Sequence, residues 1–199
     1  VKAADDYKFK KTGSRLTFTA FPQQVKMSTS NIGSYVTDSA SAATAMASGY
    51  KTSSGRLNMD PSGNSCYRPI TYALKDNGYK IGILSSVSLN HATPSGFYAN
   101  ASSRGCTYEI GTQLPTSNFD YFRGGGFMNQ RTLYQIFTGN GYTVAPTKAN
   151  VLAVPDGMKT IGVNEQLQDP KSIPYEITRL YNGSPYVSST HLTPPQKML

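Results

Sequence analysis

The chain has 199 residues, with nineteen Lys and Arg against eleven Asp and Glu, a formal net charge of +8. Only 15% of residues are charged, while fourteen are Tyr and eight are Phe; this composition excludes a charge-rich disordered chain and predicts a packed core. No apolar run reaches the roughly 18 residues of a membrane helix. The opening Val1-Lys2-Ala3-Ala4-Asp5-Asp6 carries no apolar signal-peptide core, which leaves export open because a mature chain would have lost one.

In chain order, residues 1–30 are polar except for Leu16-Thr17-Phe18-Thr19-Ala20-Phe21, read as a short strand. Ala40 to Gly49 is a run of small residues closed by glycine, which predicts a helix packed closely against a neighbour. Residues 50–66 are rich in Gly, Ser, Asn and Pro and read as a loop. Pro69 to Asn77 is a helix stopped by Gly78, and Tyr79 to Val87 a buried strand. Thr107 to Leu114 is helical, Phe119-Asp120-Tyr121-Phe122 a strand running into Gly124-Gly125-Gly126, and Gln130 to Thr138 a helix. Thr143-Val144 and Val151 to Val154 are further strands. The alternation predicts an α/β fold, with a parallel-rich central sheet and helices on both faces. The last thirty residues hold five prolines (170, 174, 185, 194 and 195), which marks 170–199 as irregular connection.

The chemistry available is narrow. There are two histidines, His91 and His191, and no HExxH, CxxC or HxxxH, so the chain carries no zinc cage of the usual spacing. Basic residues are dispersed, the densest group being Lys8-Phe9-Lys10-Lys11 with Lys2 nearby. A nucleic-acid surface shows a stripe of Lys and Arg with interleaved aromatics, so no nucleic-acid partner is expected. A small phosphorylated anion fits the charge, as does a solvated basic face. Thr37-Asp38-Ser39 opens the small-residue helix. A serine there sits among unpaired N–H groups at the positive end of the dipole, which favours an alkoxide and binds phosphate oxygens; the same residues also read as an ordinary N-cap. Thr93-Pro94 reads by itself as a helix start, and Arg104 by itself as a surface arginine. Gly124-Gly125-Gly126 lacks the Gly-Lys-Ser/Thr ending of a phosphate loop and reads as a strand end with close backbone approach.

The longer string Tyr35-Val36-Thr37-Asp38-Ser39-Ala40-Ser41-Ala42-Ala43-Thr44-Ala45-Met46-Ala47-Ser48-Gly49-Tyr50-Lys51-Thr52 resembles the nucleophile segment of the alkaline phosphatases, V-T-D-S-A-x-x-A-T-A-x-x-x-G-x-K-T. Gly82 to Ala99, containing His91-Ala92-Thr93-Pro94, is similar to the family's strand followed by [HD]-A-[ST]-P-A. Arg104 stands thirteen positions after His91, the family spacing to the arginine that grips the substrate phosphate. The resemblance covers roughly residues 15–180 and is strongest over 33–127.

It implies phosphomonoester hydrolysis through a phosphoserine at Ser39, with Arg104 binding two phosphate oxygens and Asp38 orienting it. It implies Thr93 as a magnesium hydroxyl, His91 as support of that site, and Ser39 as a zinc ligand. Zn²⁺ and Mg²⁺ are the implied cofactors, with most ligands outside this chain. In several eukaryotic members a disulfide joins the places held by Cys66 and Cys106, which implies that pair here; read without the family, the two are equally free thiols. The disulfide implies a periplasmic or extracellular setting. His191 matches no family ligand and is read as a surface residue. The substrate class is a phosphomonoester or inorganic phosphate, and the implied protein partners are the remainder of the domain or a second copy in a homodimer.

The family's leading Gly-Asp-Gly-Met-like strand and its later zinc histidines have no counterpart in this sequence. Residues 1–199 are therefore expected to form a single partial domain: nucleophile helix 39–49, magnesium and arginine segment 91–104, irregular part 170–199. A fragment, one of two complementing chains, and a degenerate relative all fit that pattern. The fragment is favoured because Ser39, Thr93 and Arg104 keep functional identities. A secreted, non-catalytic phosphate- or protein-binding relative is the alternative function.

Overall fold

The computed structural model describes residues 2–25, 27–128 and 133–163. The segment 170–199, with His191 and the five prolines, lies outside them, as do residues 130–132 of the helix expected over Gln130–Thr138. Four short strands form one all-parallel sheet in the order β1 (Gly82–Leu84), β2 (Tyr121–Gly124), β4 (Thr160–Val163), β3 (Thr143–Val144). Parallel neighbours need crossover connections. These are made by α5 (Thr107–Thr116) between β1 and β2, α6 (Leu133–Gly139) between β2 and β3, and α7 (Lys148–Ala153) between β3 and β4.

Alternation along the strands divides the core. Ile83, Phe122, Ile161 and Val163 join Ile110 and Leu114 of α5 and Leu133 and Phe137 of α6 in the main cluster. Tyr121 packs instead with Ala145 and with Val151 of α7, in a smaller cluster. Helices thus cover both faces, as the sequence predicts. The Gly-rich end of β2 is a close approach: a Cβ on Gly124 would stand 2.8 Å from the Ser85 carbonyl oxygen. At the other end of β2, Asp120 accepts from Lys75 Nζ at 2.6 Å, Lys80 Nζ at 3.2 Å and the Ile81 N–H at 2.9 Å. Lys75 belongs to α3 (Ile70–Asp76), so this carboxylate ties α3 to the sheet.

Four expectations need correction. Leu16–Phe21 is no strand; Thr17–Ala20 is a 3₁₀ helix with no buried residue. Asp5, in α1 (Lys2–Thr12), holds it by accepting from the Leu16 N–H at 2.7 Å and from Thr19 Oγ1 at 3.2 Å. Val151–Val154 belongs to α7 and its C-cap, because Thr147 and Asn150 form a reciprocal capping box that starts a helix three residues earlier. The strand of this region is β4, beginning at Thr160. The strand expected over 79–87 is only Gly82–Leu84, and the one expected at 119–122 begins two residues later at Tyr121.

Candidate active site

The small-residue helix forms as its sequence dictates. α2 runs Ser39–Ser48, starts at an N-cap Asp38 whose side chain accepts from the Ser41 N–H, and stops at Gly49, which takes the left-handed φ of 80°. Ala40, Ala43 and Ala47 are buried. The short α4 (Ala92–Ser95) lies against this face, and a Cβ on Gly96 would stand 2.5 Å from Ala43 Cβ. Only small residues allow that approach, and it brings α2 near the segment that carries His91 and Arg104.

Asp38 is the hub. One carboxylate oxygen, Oδ1, accepts from the Ser41 N–H at 3.0 Å and from Ser41 Oγ at 2.6 Å. The other, Oδ2, accepts from the Gly55 N–H at 3.1 Å and from Arg104 Nη1 at 3.2 Å. Burial pushes the carboxyl up, but the donors of Ser41, Gly55 and the Ala40 backbone outweigh it and hold it at about 2. Asp38 is therefore an anion at any neutral or alkaline pH. The Arg104 backbone is fixed as well, its N–H donating to the Gly55 carbonyl at 2.7 Å.

The other terminal nitrogen of Arg104, Nη2, lies 3.1 Å from His91 Nε2. Guanidinium only donates, so Nε2 accepts and the proton of the neutral ring is on Nδ1. The Thr93 N–H also faces Nδ1, at 3.4 Å; a neutral ring accepts at one nitrogen only, and the shorter contact to the charged donor prevails. Burial, and then the Arg104 charge, push the His91 pKa below its ordinary value, so the ring is neutral at neutral and alkaline pH. Thr93, two residues on, is exposed. The Ser39 hydroxyl is half-buried at the first residue of α2 and has no hydrogen-bond partner among the described residues.

The structure thus joins Asp38, Arg104 and His91 by direct contacts, with Ser39 and Thr93 adjacent in sequence to this line. Sequence reasoning missed three participants. Ser41 supplies two donors to Asp38, and Gly55 supplies another donor to Asp38 and the carbonyl that accepts from Arg104. Asn58 is buried at a positive φ of 47°, and its amide donates to the Gly96 and Ala99 carbonyls. The Asp-x-x-Ser pattern was a legible capping signal for Ser41; nothing local marked Gly55 or Asn58.

Cys66 and Cys106 are both free thiols in the structure, Cys66 exposed and Cys106 half-buried. The expected disulfide is therefore not formed. Cys106 heads α5, where a hydrogen bond with Glu109 and then burial push its thiol pKa up. The two segments are nonetheless neighbours, since the Asn100 amide donates to the carbonyl of Tyr67 at 3.1 Å. Among the described residues no group of three or more His, Cys, Asp or Glu converges where a metal could sit.

Comparison with known proteins agrees with the motif reading. The family model for alkaline phosphatase matches residues 3–136. Alkaline phosphatase 4 of Bacillus subtilis is 30% identical over 123 residues, 57% of this chain and 26% of its own length. The solved Thermus thermophilus alkaline phosphatase superposes with a TM-score of 0.80 at 25% identity, covering 96% of this chain and 41% of that one. A mutant of the TAB5 alkaline phosphatase, solved with Mg bound, superposes with a TM-score of 0.71 at 27% identity over 85% of this chain and 49% of that one. The chain spans about a quarter of the length of the curated relative.

Proposed function

Because the chain belongs to the alkaline phosphatase family, we propose that it supplies the nucleophile and the phosphate-binding arginine for hydrolysis of a phosphomonoester. The observation that supports this best is the fixed Asp38–Arg104 pair, with Ser39, next in sequence to Asp38, keeping a hydroxyl that has no hydrogen-bond partner among the described residues. A guanidinium held by a carboxylate on one side keeps donors free to bind two non-transferring phosphate oxygens. The first N–H groups of α2 and its dipole favour the same negative charge.

Ser39 Oγ then forms a bond to phosphorus as the ester P–O bond breaks; the leaving oxygen takes the bonding electron pair and the proton given up by the Ser39 hydroxyl, and departs as the alcohol. Water cleaves the phosphoserine in a second displacement, restoring Ser39 and releasing inorganic phosphate. Asp38 orients Arg104 and stays charged throughout. Neutral His91 braces the far edge of the guanidinium.

Zinc and magnesium, which the resemblance implies, do not fit the described residues on their own. Both Asp38 oxygens are occupied by N–H and O–H donors, His91 Nε2 faces Arg104, and no further carboxylate converges on Thr93. Ser39 on the zinc side, and Thr93 with His91 on the magnesium side, would be this chain's share of a cage whose other ligands lie elsewhere. The chain's own contribution is binding and orientation. A periplasmic or extracellular setting, and a homodimer or a remaining part of the domain as protein partner, belong to the same proposal.

Titration with inorganic phosphate, followed by calorimetry at pH 8, tests the site. The unaltered chain and Ser39→Ala are expected to bind, and Arg104→Ala to lose at least about tenfold in affinity, the usual worth of a charge-assisted fork. Equal binding by Arg104→Ala would overturn the assignment. It would also remove the common basis of the catalytic and the purely phosphate-binding readings.

A further inference from the structure

The Ser41 hydroxyl that supports Asp38 is itself held by a buried amide. Asn31 is 8% exposed, and its Nδ2 lies 3.2 Å from Ser41 Oγ and 2.7 Å from Ser54 Oγ. Its Oδ1 is buried and has no hydrogen-bond partner among the described residues. The backbone around it is fixed too. The Asn31 N–H donates to the Ser34 carbonyl at 3.1 Å, and the Ile32 N–H to the Thr52 carbonyl at 3.0 Å. One amide thus joins the segment before α2, the helix itself and the loop that follows it.

The direction of each bond follows from the proton count. A serine hydroxyl has one proton, and a carboxylate only accepts. The Ser41 proton is therefore committed to Asp38 Oδ1, at 2.6 Å. The other side chains that face Ser41 Oγ must then donate to it, the Asn31 amide through Nδ2 and the Thr37 hydroxyl at 2.8 Å. Turned over, the amide would set its carbonyl oxygen against a hydroxyl with no second proton to give. Two donors fill both lone pairs of Ser41 Oγ and lock its proton on Asp38. Through Ser54 the same amide pins the residue before Gly55. The Gly55 N–H donates to Asp38 Oδ2, and the Gly55 carbonyl accepts from the Arg104 N–H. Both carboxylate oxygens of Asp38 thus have a donor that Asn31 holds in place.

We propose that Asn31 is a positioning residue for the phosphate-binding arginine, acting through Ser41 and Gly55 on Asp38, and through Asp38 on Arg104. It touches no substrate. The choice of phosphate as ligand rests on the reading given above, whereas the chain of contacts from Asn31 to the guanidinium does not.

Two measurements on the full chain keep these apart. Proton–nitrogen NMR spectra of the phosphate-free chain follow the guanidinium N–H lines of Arg104, identified by their loss in Arg104→Ala. Asn31→Leu, which keeps the bulk and removes the amide, moves these lines, as Ser41→Ala does, and the double variant moves them no further than the larger single shift. Ile110→Val, a core truncation in α5 that lowers stability away from the site, leaves them in place. Calorimetric titration with inorganic phosphate at pH 8 then finds Asn31→Leu about three- to tenfold weaker than the unaltered chain, the worth of one hydrogen bond. Ile110→Val binds as the unaltered chain does, and Asn31→Leu adds nothing to the loss caused by Arg104→Ala. Asn31→Ser, too short to bridge the two hydroxyls, serves in both measurements if the Leu variant does not fold. Arg104 lines that stay in place in the Asn31 variant, or that move equally in Ile110→Val, overturn the proposal whatever phosphate does. So does an unchanged affinity in the Asn31 variant where Arg104→Ala weakens binding. Lines that move in a chain whose phosphate affinity ignores Arg104→Ala support the positioning role and overturn the phosphate reading instead.

Discussion

Four donors converge on the Asp38 carboxylate: the Ser41 N–H and hydroxyl, the Gly55 N–H and the Arg104 guanidinium. One side chain therefore caps α2, ties down the following loop and aims the arginine. Asp38→Ala is expected to cost about 1–2 kcal/mol in urea unfolding, the usual worth of an N-cap, and to weaken phosphate binding as well. The pH dependence has a definite sign. The folded carboxyl titrates at about 2 against an ordinary 3.8, so between these values the unfolded chain takes up the proton more readily. This contribution to stability is complete above about pH 4 and is lost as pH falls through about 2. Asp38→Asn should flatten the acid limb of the stability curve in that window, and an unchanged limb would contradict the assignment. The cysteines give a second residue-scale prediction. Both are free thiols in the structure, Cys66 exposed and Cys106 half-buried, so mass spectrometry of the non-reduced chain is expected to find two alkylatable thiols, and a chain that takes up no alkylating reagent until it is reduced would contradict this.

Among the elements, what was legible followed from local signals. The helix α2 announced itself through its Asp cap, its alanines and its terminal Gly49: Asp38 caps it, Ala40, Ala43 and Ala47 are buried, and Gly49 ends it. Val151–Val154 misled because four apolar residues in a row satisfy strand and helix equally; the decision came from Thr147 and Asn150 upstream. β4 escaped notice because Thr160-Ile161-Gly162-Val163 is short and has a glycine inside, and its strand character comes from pairing with both β2 and β3. The contact between Arg104 and His91 joins residues thirteen apart through a bend that no periodicity encodes. The α2–α4 contact, by contrast, was half legible, since small residues predict close approach without naming the partner. It yields a direct test. Gly96→Val places two methyl groups where Ala43 Cβ already stands, so it should destabilise the chain by about 1–3 kcal/mol as overpacking does. It should also weaken phosphate binding, because α2 and the Arg104 segment are pushed apart. Ala43→Gly in the same chain should restore part of both losses.

For the whole molecule the question is how much of the reaction this chain can perform. On the proposed reading, phosphate binding needs Arg104 and the head of α2, and the structure holds Arg104 against the Asp38 cap of that helix. Turnover needs more. A serine hydroxyl is a weak nucleophile until a base or a metal activates it. His91, the one histidine among the described residues, faces Arg104 through Nε2, and no metal-binding group converges among those residues. The Ser39 proton therefore has no acceptor close at hand, and the leaving oxygen has no positive charge beside it other than Arg104. The 199-residue chain is expected to bind phosphate yet to turn over an aryl phosphate at alkaline pH at close to the uncatalysed rate, with or without added zinc and magnesium. Ser39→Ala should then match the unaltered chain. Turnover that depends on both Ser39 and metal, by this chain alone, would show that residues assigned here to structure hold the ions. Turnover that appears only when the remaining part of an alkaline phosphatase domain is supplied in trans would show instead that the Asp38–Arg104–His91 line is already competent and lacks only its activating charge.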